Sequence, residues 1–418
     1  MTALPSTLLS YLHKRAVTEP WTLEGRFRDN YDACIVIPAL DEFETLPKTL
    51  KSLSENSLDY LSRTLVIVVV NHRVDSAFSL QHDNKKTLQQ LKDYPDNSLQ
   101  LAWVDACSHR LELPVKQGVG LARKIGFDLG LSQLDWQAKP FLISLDADTL
   151  VDANYLASLF AHFTASDCGG AVIPFRHSPA DDPAQEQAIR HYELYLRSYA
   201  YGLKLAGSPY AYTSIGSAFA CTADAYLQAG GMNRRLAGED FYFLQQLAKT
   251  TGIGEVQGGM VFPSPRISTR VPFGTGRAVC SQTEEGIAPF TFCTQPAFFV
   301  LKEWLSLVNT YWQVNTDEIL ILAENIDPQL RTFLKRLNLA DVWSQLQNNH
   351  REHYQFIKNF HCWFDGLRSR QLLMTLTRAE PDSELAIVNE LFRWGGIDLQ
   401  QTEDELLMSL EKIQGVLV

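Results

Sequence analysis

Phe141-Leu-Ile-Ser-Leu-Asp146-Ala147-Asp148 is the stretch from which the fold is read. Five mostly apolar, strand-forming residues run straight into two carboxylates one residue apart. A buried strand ending in Asp-x-Asp puts both acids at the carboxyl edge of a sheet, where open α/β proteins place their ligands. Two such carboxylates suit a hard divalent cation that must also reach phosphate oxygens. The same residues would serve a turn, because Asp favours strand ends and helix N-caps. The motif alone leaves the two readings level.

The surroundings supply a pattern. Upstream, Ala33-Cys-Ile-Val-Ile-Pro38 reads as a short buried strand that stops at a proline, which cannot donate to a central ladder. Residues 39–53 carry apolar side chains at 43, 46, 50 and 53, a helical spacing. Thr64-Leu-Val-Ile-Val-Val-Val70 is a second buried strand and ends in Asn71-His72-Arg73. Residues 76–98 predict a polar helix and a loop, Leu99 to Val104 a strand, and Gly118 to Leu131 a glycine-entered amphipathic helix. Strand and helix alternate four times, which predicts a parallel α/β sheet.

Downstream, a helix is expected over 152–163, a strand over 170–174, a long Tyr-rich helical stretch over 176–205 and a small-residue strand or turn over 214–221. Thr222 is placed to cap a helix that Gly230-Gly231 closes, and Gly238-Glu239-Asp240 opens another. Glu255 to Phe262 reads as a strand and 263–277 as a Pro/Gly/Ser/Arg loop. From 295 strand signals vanish, and Leu, Trp, Phe and Tyr recur at helical spacing. The expected division is a helical lead-in over 1–30, a catalytic domain over 31–280 and a helical C-terminal region over 295–418.

Composition narrows the function classes. The 418 residues are 45% hydrophobic and 20% charged, with 24 Gly and 18 Pro, which argues against wholesale disorder. A net charge of -11, with no Lys/Arg run, makes nucleic acid an unexpected partner. An acidic chain can still take an anionic nucleotide through a metal and a few arginines. The most apolar window, Gln295 to Val308, is broken by Lys302 and Glu303, so no integral membrane segment is expected. The first residues do not pair a basic stretch with an apolar core, and the seven cysteines show neither close pairs nor metal-type spacing. Both features predict a cytoplasmic protein with reduced thiols.

Five motifs come in one order: Val36-Ile-Pro-Ala-Leu-Asp-Glu42, the Gly118…Ala122-Arg123-Lys124 helix, Leu145-Asp-Ala-Asp148, Gly230-Gly-Met-Asn233 and Gly238-Glu-Asp240. In order and spacing they resemble the GT-A-fold nucleotide-sugar glycosyltransferases, most of all the family-2 inverting enzymes, over about residues 30–280. The resemblance implies a Rossmann-like α/β fold, with a mostly parallel central sheet flanked by helices. It implies transfer of a sugar, with inversion, from a UDP- or GDP-sugar to an acceptor hydroxyl.

It also implies roles. Asp148 would hold Mg²⁺ or Mn²⁺ beneath the diphosphate, with Asp146 near the ribose or the metal. Pro38, Ala39 and Glu42 would line the base and ribose pocket, and Asn71 stands where the family usually has an Asp reading the base. Arg123 and Lys124 would contact the base or phosphates. Separately, the Gly/Arg loop from Ser264 to Arg277, which carries Arg266 and Arg270, suits either a lid over the diphosphate or a solvated linker into the helical region. Asp240 would be the base that deprotonates the acceptor, with Glu239 orienting it. For Glu239 and Asp240 a helix-start role is the competing use.

Other candidates are weaker. His350 and His353, at i and i+3, and the aromatic run from His361 to Arg368 read first as helix surface and core packing. Two alternatives to a glycosyltransferase remain. A sugar nucleotidyltransferase would open with a Gly-rich, Arg-containing loop, which Pro38-Ala-Leu-Asp lacks. A non-catalytic nucleotide-sugar-binding module would have no chemical need for Asp146, Asp148 and Asp240 together.

Overall fold

The structure, a computed structural model, describes residues 4–95, 98–267, 274–284, 290–377 and 383–416. The chain divides into two compact units, one of residues 1–189, 214–286 and 414–418, the other of 190–213 and 287–413.

Among the described residues the first unit has ten strands: β1 (Glu24–Arg26), β2 (Ala33–Ala39), β3 (Thr64–Asn71), β4 (Gln100–Ala106), β5 (Phe141–Ser144), β6 (Leu150–Val151), β7 (Gly170–Val172), β8 (Phe219–Thr222), β9 (Ile253–Glu255) and β10 (Val261–Phe262). The helices among them are α1 (Ser6–Lys14), α2 (Leu46–Ser54), α3 (Leu58–Leu61), α4 (Phe78–Lys92), α5 (Val119–Gly130), α6 (Tyr155–Ala165), α7 (Pro183–Leu205), α8 (Ala223–Gln228), α9 (Glu239–Thr250) and α10 (Thr275–Glu284). Eight strands form one sheet in the order β1-β4-β3-β2-β5-β8-β7-β9, and only β1 and β8 run against the other six. This is the α/β architecture that the strand–helix alternation predicts, a mostly parallel sheet with helices packed on it.

The unbroken apolar runs have a simple cause. Every residue of β2 and β3 is buried, because helices cover both faces of a parallel sheet. Pro38 is not the end of β2, as the sequence suggests; the strand runs on to Ala39. Its ladder with β5 finishes at Val36↔Ser144, so Pro38 lies where β2 keeps only β3 as a neighbour and a donor on the other side is not needed.

Helix α5 crosses β2 and β3 unusually closely. A Cβ on Gly126 would lie 2.4 Å from Val36 Cγ1 and 3.0 Å from Val69 Cγ2. That approach fixes the helix and, one turn earlier, Arg123.

Other elements differ from the sequence reading. β1 went unread because its three residues, Glu24, Gly25 and Arg26, are all exposed and carry no apolar pattern. Helix α2 starts at Leu46 and not near 39, because Asp41 adopts φ 62° and Pro47 marks the first turn. The stretch 255–262 is two strands, β9 in the main sheet and β10 in a two-stranded ribbon with β6, parted by Gly258 at φ 89°. Thr222 caps α8 as its sequence position suggests, accepting from Ala225 N at 3.1 Å.

The second unit is helical. Besides residues 190–205 of α7 it contains α11 (Gln295–Thr310), α12 (Thr316–Ile326), α13 (Pro328–Arg336), α14 (Leu339–Asn349), α15 (His353–Trp363), α16 (Gly366–Leu376), α17 (Glu384–Gly395) and α18 (Glu403–Ile413). Its core is aromatic: Phe298, Trp304, Phe333, Trp343, Phe356 and Phe360 are buried together. Asn315, Asp327, Asp365 and Ser383 cap four of these helices through their side chains. The Tyr-rich stretch and the run after His361 supply Tyr195, Tyr201 and Phe364 to the same core, and His353 Nε2 lies 3.0 Å from Asn309 O. No described helix is long and apolar enough to cross a membrane.

Replacing Gly126 with Val should overpack the α5–sheet contact and cost about 1–3 kcal/mol. Urea denaturation would record a lower midpoint at unchanged slope; an unchanged midpoint would contradict the close approach.

Candidate active site

The carboxyl ends of β2, β3, β4 and β5 share one edge of the sheet, so the loops that follow them converge. After β5 the chain passes Leu145, still bonded from its N–H to Val36 O, and presents Asp146 and Asp148. Their side chains are 34% and 17% exposed.

Arg123 organises what lies around them. One end of its guanidinium donates to Asp146 and the other to Glu239, in two short charge-assisted pairs. The residue is only 2% exposed, and Gly216 is pressed against it: a Cβ there would lie 2.5 Å from Nη2. Ser144 holds that backbone by donating to Gly216 O at 2.6 Å. Arg123 Nε is buried with no hydrogen-bond partner among the described residues. Residues 23 and 116 positions away in sequence are thus joined by one side chain.

Glu239 and Asp240 begin α9, and Asn233 ties down the turn before them by donating to Glu239 O at 2.8 Å. Glu239 is 4% exposed; burial raises its pKa to about 7, with Asp240 and Asp146 adding repulsion and Arg123 opposing the rise. Asp240 keeps some surface open, yet the surrounding protein raises its pKa as well, and Arg123 again opposes the rise. Burial is the larger cause, and the crowding of Asp146, Glu239 and Asp240 around one guanidinium adds to it. An acid held above the ordinary carboxylate range is suited to accept a proton near neutrality.

A second arginine serves the neighbouring carboxylates. Arg266, four residues beyond β10, donates to both oxygens of Glu42, with Nη1–Oε2 at 2.8 Å, and its Nε lies 2.8 Å from Asp148 Oδ2. Thr45 also donates to Glu42. The loop carrying Glu42 is pinned by Asn84, which accepts from Asp41 N at 3.1 Å and donates to Asn71 O at 2.9 Å, and by Asp83, which accepts from Phe43 N.

Several expected roles change. Asn71 was expected to read the base, but its amide nitrogen donates to Ala39 O and Val69 O, stitching β2 to β3 at 4% exposure. Pro38 and Ala39 are buried within β2 itself. Lys124 turns away from the carboxylates, because adjacent helix residues project about 100° apart. Its Nζ lies 3.0 Å from Asp128 Oδ2 and 2.7 Å from Tyr11 Oη, and burial lowers its pKa. Asp128 also accepts from Tyr11, Tyr226 and Val17 N, so Lys124 belongs to a buried network that anchors α1. Arg123, expected at base or phosphate, spends both guanidinium ends on carboxylates, and Glu239, expected to orient an acceptor, is committed to Arg123. Arg270 lies outside the described residues. Sequence reasoning passed over Asn84 and Asp128, and Arg266 stood out only as one of several loop arginines; Asp41, Tyr11 and Glu42, which they bind, lie 43, 117 and 224 positions away, and the one local clue was the i,i+4 spacing of Lys124 and Asp128.

Among the described residues no group of three or more His, Cys, Asp and Glu side chains is placed to hold a metal. Asp146 and Asp148 nevertheless offer hard oxygen donors suited to Mg²⁺ or Mn²⁺, provided a diphosphate completes the coordination.

No family model matches the sequence, and no curated protein is similar to it. Among solved structures the chain is similar to S. aureus TarS 1-349 in complex with UDP-GlcNAc, at TM-score 0.39 and 12% identity over 91% of this chain and 90% of that one. It is also similar to the mannosyltransferase PcManGT from Pyrobaculum calidifontis in complex with GDP-Man and Mn2+, at TM-score 0.38 and 14% identity over 98% and 94%. These likenesses are coarse, and no residue role follows from them.

Arg123→Met should leave Glu239 as a buried, unpaired charge and cost about 3–5 kcal/mol near pH 8. The loss should shrink as pH falls, because a protonated Glu239 carries no buried charge and its pKa is already raised. Chemical denaturation at pH 5 and 8 measures this; an equal loss at both would contradict the pairing.

Proposed function

We propose that the chain transfers a sugar from a nucleoside-diphosphate sugar to an acceptor hydroxyl, with inversion at the anomeric carbon. The observation that carries this reading is the Arg123 bridge, which brings the Asp-x-Asp acids and the Glu239–Asp240 pair to one place. Either pair alone is explained by a turn or a helix start. One acid from a strand end and two from a distant helix start, drawn together around a buried arginine, are not needed by the fold.

Asp240 is the base in this reading. It takes the proton from the acceptor hydroxyl as that oxygen attacks the anomeric carbon from the face opposite the diphosphate. The bond from that carbon to the phosphate oxygen breaks, and the nucleoside diphosphate leaves with the electron pair. Glu239 is a positioning residue that holds Arg123, and Arg123 in turn holds Asp146. Asp148, with Asp146, would bind Mg²⁺ or Mn²⁺, which when bound supplies Lewis-acid stabilisation of charge on the leaving group. Glu42 stands at the β2 edge on the donor side, and the donor is a UDP- or GDP-sugar.

Asp240→Asn should lower transfer by about 10²–10⁴-fold while leaving calorimetric binding of the donor nucleotide within a small factor of wild type. The base works only when deprotonated, and burial raises its pKa above the ordinary 3.8. Wild-type turnover should therefore fall as pH decreases through a pKa raised above that of a solvated aspartate. Retained turnover in the Asn variant would remove Asp240 from the base role.

A further inference from the structure

Arg266 stands where a bound cation is wanted. Its guanidinium holds both oxygens of Glu42 while its Nε reaches Asp148 at 2.8 Å. The chain puts it there deliberately in topological terms. β6 begins two residues after Asp148, pairs antiparallel with β10, and β10 leads through Pro263 into Ser264-Pro265-Arg266. The ribbon therefore returns the chain over the second aspartate. Both carboxylates raise the arginine's affinity for its proton against the effect of its own burial, so the charge is permanent.

The two arginines described at the site are not equally free to move. The Arg123 side chain is 3% exposed, whereas that of Arg266 is 31% exposed and rooted in a segment beyond the sheet. Arg123 is a fixed part of the core. Arg266 can swing on Glu42, whose side chain is 6% exposed and is also held by Thr45.

We propose that Arg266 is an internal counter-cation that occupies Asp148 until a nucleoside diphosphate arrives, so that divalent metal and donor enter together and not metal first. The inference rests on the reading of Asp148 as a metal ligand. A guanidinium tethered within reach competes at high effective concentration. A hydrated Mg²⁺ or Mn²⁺ finding few protein carboxylates displaces it poorly, because such ions give up water reluctantly. The diphosphate alters both sides of the exchange. Its oxygens complete the metal's coordination, and its charge gives the released guanidinium a new bidentate partner. Asp148 is then exposed to metal only when there is a leaving group for the metal to serve.

Mn²⁺ uptake read by electron paramagnetic resonance tests this without turnover, on full-length wild type, Arg266→Met and, as the site-less reference, Asp148→Ala, each with and without UDP and, in parallel, GDP. Wild type should take up Mn²⁺ weakly alone and strongly with the nucleotide. Arg266→Met should bind Mn²⁺ alone tighter by at least about tenfold and lose much of the nucleotide dependence. Matching circular dichroism and melting curves show that the variant is folded; if it is not, Arg266→Lys, which keeps the charge but loses the fork, should fall between the two. The inference is overturned if Arg266→Met binds Mn²⁺ no more tightly than wild type while both still bind it with nucleotide. If wild type takes up no Mn²⁺ even with nucleotide, or Asp148→Ala takes it up equally, the metal reading of Asp148 fails and the inference falls with it.

Discussion

One guanidinium set among three carboxylates is the constraint on which the rest of the first unit depends. Removing Arg123, Glu239 and part of Asp146 from water is costly, and a buried ion pair seldom returns more stability than a well-packed apolar replacement would. The surrounding structure is arranged to hold that costly group in place. Gly126 lets α5 press on β2 and β3, Gly216 closes on the guanidinium, Ser144 holds the backbone at 216 and Asn233 holds the turn before Glu239. A group kept at such expense at the carboxyl edge of a sheet points to chemistry more than to folding.

The charge count gives the site its character. Burial raises the pKa of Glu239 and Asp240, and the one fixed positive charge of Arg123, facing three negative ones, offsets only part of that rise. The Arg266 pairing with Glu42 and Asp148 balances the adjacent half of the edge, but with a side chain that is far more exposed. A fixed arginine beside the proposed base and a movable one beside the proposed diphosphate site divide the work between holding geometry and admitting a ligand.

What the chain disclosed in advance follows from the range of the forces involved. The runs 33–38 and 64–70 announced buried parallel strands because burial on both faces demands continuous apolar residues, and Thr222 announced a helix cap because its partner is three residues away. The Asp146–Asp148 and Glu239–Asp240 pairs were visible as motifs, yet nothing local showed that one arginine joins them. Arg123 and Lys124 looked equivalent on paper; the turn of the helix sends one to the carboxylates and the other to Asp128 and Tyr11. Asn71 looked like a ligand-reading position and is instead a strand-end stitch, because two carbonyls lie within reach of its amide. Short exposed β1 left no trace because edge pairing is made by the backbone and not by an apolar pattern.

The most direct measurement is the identity of the product, followed by ³¹P NMR when the protein is incubated with UDP- and GDP-sugars, Mn²⁺ and a panel of hydroxyl acceptors. The account predicts release of the nucleoside diphosphate, from at least slow donor hydrolysis, in wild type and not in Asp240→Asn. Formation of nucleoside triphosphate and sugar 1-phosphate when pyrophosphate is added would assign the site to nucleotidyl transfer, and an unchanged donor spectrum across the panel would contradict sugar transfer altogether.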